Sequence, residues 1–538
     1  MKSKVAERIW ARDASLWKTD DDSKKVINNS LGWLTVADEM LGVADELTEF
    51  AKSIRARGFQ HVMVCGMGGS SLCPEVLART FGRQEGFPEL LVLDSTDADV
   101  IAAFTERIDV ERCLFIIASK SGTTTEPNVF EKFWYEEVRK RSENPGDNFI
   151  AITDPGSPLV ESASELKFQR TFLNQPDIGG RYSALSYFGM VPAALMGLDV
   201  RRLLGGAQRA AQSSDAAFEL GSALGDSALA GRDKLTLVID QRLETLGLWI
   251  EQLIAESTGK EGKGILPVNG ETLGTPDNYA NDRLFVSISL GAVAEDTRTK
   301  LERLADAGHP VLYRQLTDLY DLGAEFFEWE FATAVAGWRI GINPFDQPNV
   351  QEAKDATKEL LASFVRRGRL DERITIATDD GITVYGAEEQ EKQSVDEVLH
   401  AHLATVQAGG YIAFLNYIEE TAEVDEKFQE LRTALRDATR CAVTVGYGPR
   451  FLHSTGQLHK GGSNTGVFFQ IIANDKTDFA IPGEPYTFSI LKQAQALGDF
   501  RALAKRGRRV IGIDLGDNTD RALSIIERFV GAALPGRP

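Results

Sequence analysis

One apolar strand that runs directly into a cluster of hydroxyl side chains constrains the fold of this chain more than any other segment. Cys113–Ala118 reads CLFIIA, which is apolar enough to be buried on both faces, as in the parallel sheets of α/β proteins. Residues 119–126 follow as SKSGTTTE, and 126–141 have the length and spacing of a helix. Residues that follow such a strand lie at the carboxyl edge of the sheet, where open α/β folds bind ligands. The segment therefore predicts an α/β fold with a ligand-binding loop at 119–125.

This hydroxyl-rich loop is well suited to phosphate. The first turn of the helix after it offers unpaired backbone N–H groups and the positive end of the helix dipole, and the hydroxyls can donate hydrogen bonds to the same anion. The alternative is an ordinary Ser/Thr N-cap, which needs no ligand. The side chains concerned are Ser119, Ser121, Thr123, Thr124 and Thr125, with Lys120 and Gly122 among them.

A glycine-rich loop after a neighbouring strand argues against that alternative. His61–Cys65 leads into GMGGSS at 66–71, followed by the helical segment Leu72–Phe81. Glycines allow a close approach of the backbone to a ligand and expose successive N–H groups as an anion-binding nest. The spacing matches neither the P-loop nor the dinucleotide fingerprint, because Ser71 stands where the third glycine belongs and no Gly-Lys-Thr follows. Two such loops on neighbouring strands indicate one shared anion site.

The charge and hydropathy of the chain narrow the choice of partners. A net charge of −20 and an isoelectric point near 4.9 disfavour nucleic acid or an anionic membrane as the main partner, so an anionic substrate needs a locally basic pocket. The N-terminus lacks the apolar centre of a signal peptide, and no apolar run reaches membrane-spanning length. We therefore expect a cytoplasmic protein.

The cysteines and histidines give no sign of a metal or redox centre. Four scattered cysteines and six histidines show no metal-ligand spacing and no dense disulfide framework, which suits a reducing compartment. We expect inert core thiols, no metal and no organic cofactor. The cysteines are Cys65, Cys73, Cys113 and Cys441.

Strand-length and helix-length segments alternate over the whole chain, which indicates βαβ units with right-handed crossovers. A chain of 538 residues is too long for one core. We predict a first domain at 1–230, a second at 231–369 and a third at 370–538, with a loose Gly/Ala/Ser-rich connection at 212–232. The predicted strands are 61–65, 90–94, 113–118, 148–154 and 168–172 in the first domain, 234–240, 264–268, 283–290 and 310–316 in the second, and 373–378, 411–417, 441–446, 466–473 and 509–515 in the third.

Two further segments carry reactive side chains. The predicted helix 245–257 ends in AESTGK, which puts Glu256 at a helix C-terminus, where the dipole disfavours a negative charge and makes the carboxylate a better base. The alternative is a solvated glutamate beside a glycine cap. The loop GINPFDQPNVQEAK at 341–354 delivers Lys354 to the first turns of a helix, where a surface lysine is the alternative.

Five segments together resemble the motifs of the glucose-6-phosphate isomerase (phosphoglucose isomerase) family. They occur in the order of that family between roughly 52 and 354 and read GMGGSS, SKSGTTTEP, GGRYS at 179–183, ESTGK at 256–260, and NPFDQ at 343–347 with Lys354 seven residues later. The start, VAERIWARDASLW, and the long C-terminal part are similar to the isomerase half of transaldolase–phosphoglucose isomerase fusion proteins. The resemblance implies sugar-isomerase (SIS) type αβα sandwich domains with parallel sheets, plus an additional C-terminal α/β domain.

Carried over onto matching positions, the resemblance also implies roles for single residues. Glu256 is the base that moves a proton between C1 and C2, Arg181 stabilises the enediolate, and Lys354 assists ring opening together with a histidine. The residues implied in substrate binding are Gly68, Ser70, Ser119, Lys120, Ser121, Thr123, Thr124, Gln252 and Gln347.

The identity of that histidine is open among three candidates. His309 is the only histidine between Glu256 and Lys354, where the family has it, but His459 lies in LHKGGSN before a strand, which resembles a segment of some bacterial isomerases. We favour His459 over His309, with His453 third. In the family the histidine comes from a neighbouring subunit, which implies a homodimer; our hypothesis is that the third domain supplies it within one chain.

The resemblance implies reversible isomerisation of glucose 6-phosphate and fructose 6-phosphate through a cis-enediol, in glycolysis and gluconeogenesis, with a phosphorylated hexose as partner. A bifunctional phosphoglucose/phosphomannose isomerase, an amidosugar-phosphate isomerase and a non-catalytic phosphosugar-binding SIS module are the alternatives. The last would need the hydroxyl loop alone, without the combination of Glu256, Arg181 and Lys354.

Overall fold

Three β-sheets flanked by helices make up the computed structural model, which describes residues 2–389, 393–517, 525, 528 and 529. The first sheet has the order β2-β1-β3-β4-β5 and the second the order β7-β6-β8-β9, and all strand pairs in both are parallel. The strands of the first sheet are β1 His61–Cys65, β2 Glu89–Leu93, β3 Cys113–Ala118, β4 Phe149–Thr153 and β5 Arg170–Leu173, and those of the second are β6 Lys234–Ile239, β7 Leu266–Val268, β8 Arg283–Leu290 and β9 Val311–Leu316.

The third sheet is mixed, with the order β10-β11-β15-β14-β12-β13. Strands β12 to β15 pair with one another in parallel. Strand β11 pairs antiparallel with both β10 and β15. The strands are β10 Ile374–Asp379, β11 Ile382–Gly386, β12 Tyr411–Tyr417, β13 Ala442–Tyr447, β14 Gly466–Ile472 and β15 Arg509–Asp514.

The α-helices cover the faces of these sheets and fill the space between them. In chain order they are α1 Lys2–Trp10, α2 Asp21–Asn28, α3 Val36–Ala56, α4 Leu72–Phe81, α5 Ala98–Arg107, α6 Thr125–Arg139, α7 Pro158–Glu165, α8 Tyr187–Leu195, α9 Val200–Gln212, α10 Asp215–Leu229, α11 Leu246–Thr258, α12 Glu295–Asp306, α13 Leu322–Ile340, α14 Val350–Arg367, α15 Val395–Leu403, α16 Ala422–Thr439, α17 Gly456–Gly461 and α18 Phe488–Lys505. Within the described residues, none of them has both the length and the apolar composition that a bilayer-spanning helix needs.

The predicted fold class is confirmed, and all fourteen predicted strands are present with ends shifted by at most two residues. The sequence reading missed β11. Asp380 and Gly381 join it to β10, and both have positive φ angles of 49° and 75°, as in the two-residue turns of hairpins. Each of the three sheets lies within one of the predicted ranges 1–230, 231–369 and 370–538. We call these ranges the first, second and third domains, and their limits stay a prediction.

The loose connection predicted at 212–232 is wrong, because most of it forms helix α10. Its small residues serve close packing against α13 rather than disorder. A Cβ atom added to Gly221 would lie 2.3 Å from the carbonyl oxygen of Ala332, and one added to Gly225 would lie 2.4 Å from Cβ of Arg339. Glycine at these positions therefore permits two helix backbones to approach each other, which composition alone does not distinguish from a linker.

The carboxyl edges of the first and third sheets meet. Asp94, directly after β2, accepts hydrogen bonds from Arg450, which follows β13, at 3.0 Å. The same carboxylate also accepts a hydrogen bond from Ser71 at 3.2 Å. One apolar cluster continues across this junction, where Phe130 and Phe133 of α6 pack against Phe488 of α18. The ligand-binding edge of the first sheet is thus covered by the third domain.

Candidate active site

A buried ion pair between Arg181 and Glu256 lies at the centre of the candidate site. Glu256 belongs to the last turn of α11, and its Oε1 atom lies 3.1 Å from Nη1 of Arg181. The guanidinium is fixed from several directions, because it donates to Oγ of Ser257 (2.6 Å), to the carbonyl of Pro344 (2.7 Å) and to Oε1 of Gln347 (3.0 Å). Three of the family-like motifs therefore converge on one arginine.

Gln252 connects the carboxylate of Glu256 to the third domain. Its amide group donates to Oε2 of Glu256 (3.1 Å) and to the carbonyl of His453 (2.8 Å). Gly68 lies between these residues and has a φ of +57°. A Cβ atom on Gly68 would lie 2.8 Å from Nε2 of Gln252 and 3.1 Å from Cβ of His453. Glycine is required by both the backbone angle and the space.

The glycine-rich loop itself packs against the GGRYS segment. A Cβ atom on Gly69 would lie 1.9 Å from the carbonyl oxygen of Gly180, directly before Arg181. Ser70 is half-buried in the same turn. The loop thus packs directly against the segment that carries Arg181, and the substrate contacts of Gly68 and Ser70 stay a prediction.

His453 faces the hydroxyl-rich loop through Glu126. Its Nε2 atom lies 3.4 Å from Oε1 of Glu126, which occupies the first turn of α6 immediately after the loop. Burial raises the pKa of this carboxyl group, but the charge and hydrogen bond of His453, together with the charge of Lys354, outweigh that effect and hold the pKa below its ordinary value. Glu126 is therefore a buried carboxylate that orients a histidine.

The loop at 119–125 has hydroxyl groups left over for a ligand. Oγ of Ser119 is buried and has no hydrogen-bond partner within the described part of the chain, which is costly unless a ligand or water supplies one. Thr124 occupies the N-cap of α6 without capping the helix through its side chain. The hydroxyls of Ser121 and Thr123 are exposed and 2.9 Å apart. Gly122 fixes the loop, because a Cβ atom there would lie 2.8 Å from the backbone nitrogen of Leu159.

The two lysines of the prediction differ in their surroundings. Lys120 forms an ion pair with Asp154 and donates to the carbonyl of Pro176 (3.1 Å), so its charge is already compensated and its position does not support contact with the substrate phosphate. Lys354 of α14 has no hydrogen bond or ion pair among residues 2–389 and 393–517 that the structure describes, and its charge acts on Glu126. Lys354 is the lysine that remains available to an anionic ligand.

A further lysine, Lys260, is buried and contacts the loop that holds Arg181. Nζ of Lys260 donates to Oδ1 of Asp346 (2.7 Å) and to the backbone carbonyl of the same residue. Burial, followed by the nearby charge of Arg181, lowers the pKa of Lys260 to about 8. The ESTGK motif is visible in the sequence, whereas this contact, which fixes the 343–347 segment beside the end of α11, is not.

The structure does not place His459 in this cluster. Its ring is buried in the third domain, packed against Phe468 at a centroid distance of 5.1 Å, with Nδ1 3.0 Å from the hydroxyl of Tyr411. Burial lowers the pKa of His459 to about 3, so the ring is neutral in the folded protein. The role predicted for His459 is therefore not supported by its position.

His309 is also remote from Glu256. It precedes β9 and so lies at the amino edge of the second sheet, where it packs against Tyr279 and Phe285 with centroid distances of 6.1 and 5.6 Å. Ligand sites of parallel sheets lie at the opposite edge. Of the three candidate histidines, His453 is the one that contacts the other predicted site residues.

Among the residues that the structure describes, the cysteines are free and one cluster of three acidic residues is paired with a lysine. The four cysteines are buried and reduced, and burial raises the pKa of their thiols. Asp97, Asp99 and Asp475 cluster within 4.8 Å, but Nζ of Lys492 lies 2.9 Å from Asp97 and also pairs with Asp475. A lysine thus already occupies part of this cluster and compensates part of its negative charge.

Known proteins with similar sequences carry isomerase names. The family model described as phosphoglucose isomerase matches residues 22–266. A glucose-6-phosphate isomerase of Rubrobacter xylanophilus is 29% identical over 392 residues, which span 62% of this chain and 87% of that protein. A probable glucose-6-phosphate isomerase of Methanococcus maripaludis is 24% identical over 384 residues, with coverage of 63% and 86%.

Solved structures share the fold. A hypothetical protein from Thermus thermophilus superposes with a TM-score of 0.59 at 22% identity, covering 67% of this chain and 94% of that one. A glucose-6-phosphate isomerase from Chlamydia trachomatis gives a TM-score of 0.50 at 20% identity, with coverage of 67% and 78%. At such low identity these structures show only that the fold is shared. The sequence matches, for their part, show that this chain is similar to the phosphoglucose isomerase family over residues 22–266, and they support that family for the chain.

Proposed function

We propose that this chain interconverts glucose 6-phosphate and fructose 6-phosphate through a cis-enediol intermediate, in glycolysis and gluconeogenesis in the cytoplasm. The observation that carries the proposal is one continuous set of contacts from the hydroxyl-rich loop through Glu126, His453 and Gln252 to Glu256. This set of contacts supports a single site in which one phosphorylated sugar meets a phosphate-binding loop, an acid and a base.

The loop at 119–125 binds the phosphate in this proposal. The free hydroxyls of Ser119 and Thr124 and the N-terminal N–H groups of α6 donate to its oxygens, and the dipole of the helix favours the anion. Lys354 adds a positive charge nearby. These local groups supply the attraction that a chain with a net charge of −20 lacks as a whole.

Ring opening uses His453. The electrons of the C1–O5 bond move to O5, which takes a proton from His453, and the C1 hydroxyl passes its proton to a water molecule as the carbonyl forms. Glu126 holds the imidazole in place from one side, since its carboxylate faces Nε2. Lys354, whose charge acts on Glu126, assists in the same step.

Proton transfer between C2 and C1 uses Glu256. A single carboxylate can remove the proton from one carbon and return it to the next if water is excluded, and Glu256 is buried. The enediolate carries charge that the neutral open chain does not, so the fixed guanidinium of Arg181 stabilises the intermediate more than the substrate. Gln252 and Gln347 keep the base and the arginine in position.

Replacement of Glu256 by glutamine tests the base. Glu256→Gln retains the size and hydrogen-bonding groups of the side chain but cannot accept the carbon-bound proton, so we expect kcat to fall by about 10³-fold. Incorporation of solvent deuterium at C2 of glucose 6-phosphate, followed by NMR, measures the step directly. The matched control is Glu244→Gln, at an exposed glutamate just before α11, which should behave as the unchanged protein. Near-normal exchange in Glu256→Gln would contradict the assignment.

The same substitution at two histidines six residues apart separates catalytic from structural roles. His453→Asn should lower kcat by about 10²-fold because it removes the acid of ring opening. His459→Asn keeps a hydrogen-bonding group for Tyr411 and should leave kcat nearly unchanged. Steady-state assays with glucose 6-phosphate compare the two, and the reverse order of effects would restore His459 to the site.

The pH dependence of stability gives an independent check on His459. Because its pKa falls from 6.5 to about 3 on folding, the neutral ring stabilises the folded state above pH 6.5, and this contribution is lost as the pH falls towards 3. The urea midpoint of the unchanged protein should therefore drop more steeply over this range than that of His459→Asn. Parallel curves would show that the ring is not buried as described.

Mixing two inactive variants tests whether one chain forms the whole site. In the structure His453 contacts Glu126 and Gln252 of its own chain, so a mixture of Glu256→Gln and His453→Asn chains, unfolded and refolded together, should stay inactive. A site shared between the chains of a homodimer would instead recover about a quarter of the normal activity in random pairs. Activity assays before and after refolding distinguish the two results.

A further inference from the structure

A glutamine from the third domain contacts the carboxylate that orients His453. Nε2 of Gln495, on α18, donates to Oε1 of Glu126 at 2.6 Å, the same oxygen that faces the imidazole. Gln495 is only 3% exposed, so this is a buried hydrogen bond to a carboxylate. Bonds of this kind are stronger than those between neutral groups.

Thr96 fixes which end of the Gln495 amide faces Glu126. The hydroxyl of Thr96, just after β2, donates to Oε1 of Gln495 at 2.6 Å, and Thr96 is fully buried. A hydroxyl donor on the amide oxygen leaves the amide nitrogen to point at Glu126. A flipped amide would bring two oxygens together at Glu126 and would leave the Thr96 hydroxyl beside the amide nitrogen, from which it could only accept.

The position of Gln495 along α18 is itself anchored. Lys492, one turn earlier on the same face, places its Nζ 2.9 Å from Asp97 and also pairs with Asp475. Asp97 follows Thr96 in the same loop of the first domain. The ion pairs therefore fix the register between α18 and the loop that contacts Gln495.

We propose that Gln495, oriented by Thr96, is a positioning residue for ring opening that holds Glu126 in the place from which it aligns His453. The inference rests on the function proposed above and deepens it, because it gives the third domain two roles at the site. His453 acts on the sugar, and Gln495 acts through Glu126. None of the family-like motifs contains Gln495 or Thr96.

Anomerisation of glucose 6-phosphate isolates the step in question. In a Glu256→Gln background the proton transfer between carbons is disabled, but ring opening and closing still interconvert the anomers. Adding Gln495→Leu removes the donor while keeping most of the volume, and we expect the enzyme-dependent anomerisation rate, measured by exchange NMR, to fall about 10- to 100-fold. The affinity for arabinonate 5-phosphate, an acyclic sugar acid, should change less than about twofold because that ligand needs no ring opening.

Controls on the same elements separate positioning from folding. Gln493→Leu lies on α18 two residues away, where the side chain of Gln493 donates to Asn474, and should leave anomerisation unchanged. Thr96→Val should lower the rate in the same direction as Gln495→Leu, whereas Thr96→Ser keeps the hydroxyl and should restore it. This pair keeps the inference testable if Gln495→Leu does not fold.

The possible results have separate meanings. An unchanged rate in Gln495→Leu, an equal loss in Gln493→Leu, or a loss accompanied by a matching loss of sugar-acid binding would overturn the role of Gln495. Failure of the unmutated protein to isomerise glucose 6-phosphate would overturn the proposed function, and this inference with it. If the unmutated protein isomerises glucose 6-phosphate but Gln495→Leu does not slow anomerisation, only the inference about Gln495 is overturned.

Discussion

The amide group of Gln252 is the contact on which the arrangement of the site depends. It holds the carboxylate of Glu256 on α11 and the backbone of His453 in the third domain at the same time. Gly68 of the first domain fits into the remaining space only because it lacks a side chain. Parts of all three domains are thus held against one amide group, so the base and the acid keep a fixed separation before any substrate arrives.

The site contains positively charged side chains, although the chain as a whole is strongly negative. The protein carries a net charge of −20, yet Arg181 and Lys260 lie close to Glu256, and the charge of Lys354 acts on Glu126. Arg181 is held by five neighbours, whereas Lys354 has no hydrogen bond or ion pair among the described residues. A fixed cation suits charge that develops during the reaction, and an unpaired one suits an anion that enters with the substrate.

The sequence predicts the parts of the site that lie within one segment and not the contacts between segments. The strands and the loops after β1 and β3 follow from apolar runs that end in glycine or hydroxyl residues, and they were predicted correctly. The choice of histidine could not be made this way, because His453 meets Glu126 across 327 residues and shares its segment with His459. Gln495 belongs to no motif at all. The helix at 215–229 was missed since close packing and flexibility both use small residues.

A crystal structure with arabinonate 5-phosphate, whose acid group mimics the enediolate, tests the central claim most directly. The account predicts the phosphate on the hydroxyls and N–H groups of the loop at 119–125, and the acid group within about 3.2 Å of both Glu256 and Arg181. It also predicts His453 of the same chain beside the ligand. A phosphate bound elsewhere, or an acid group out of reach of Glu256, would contradict the account.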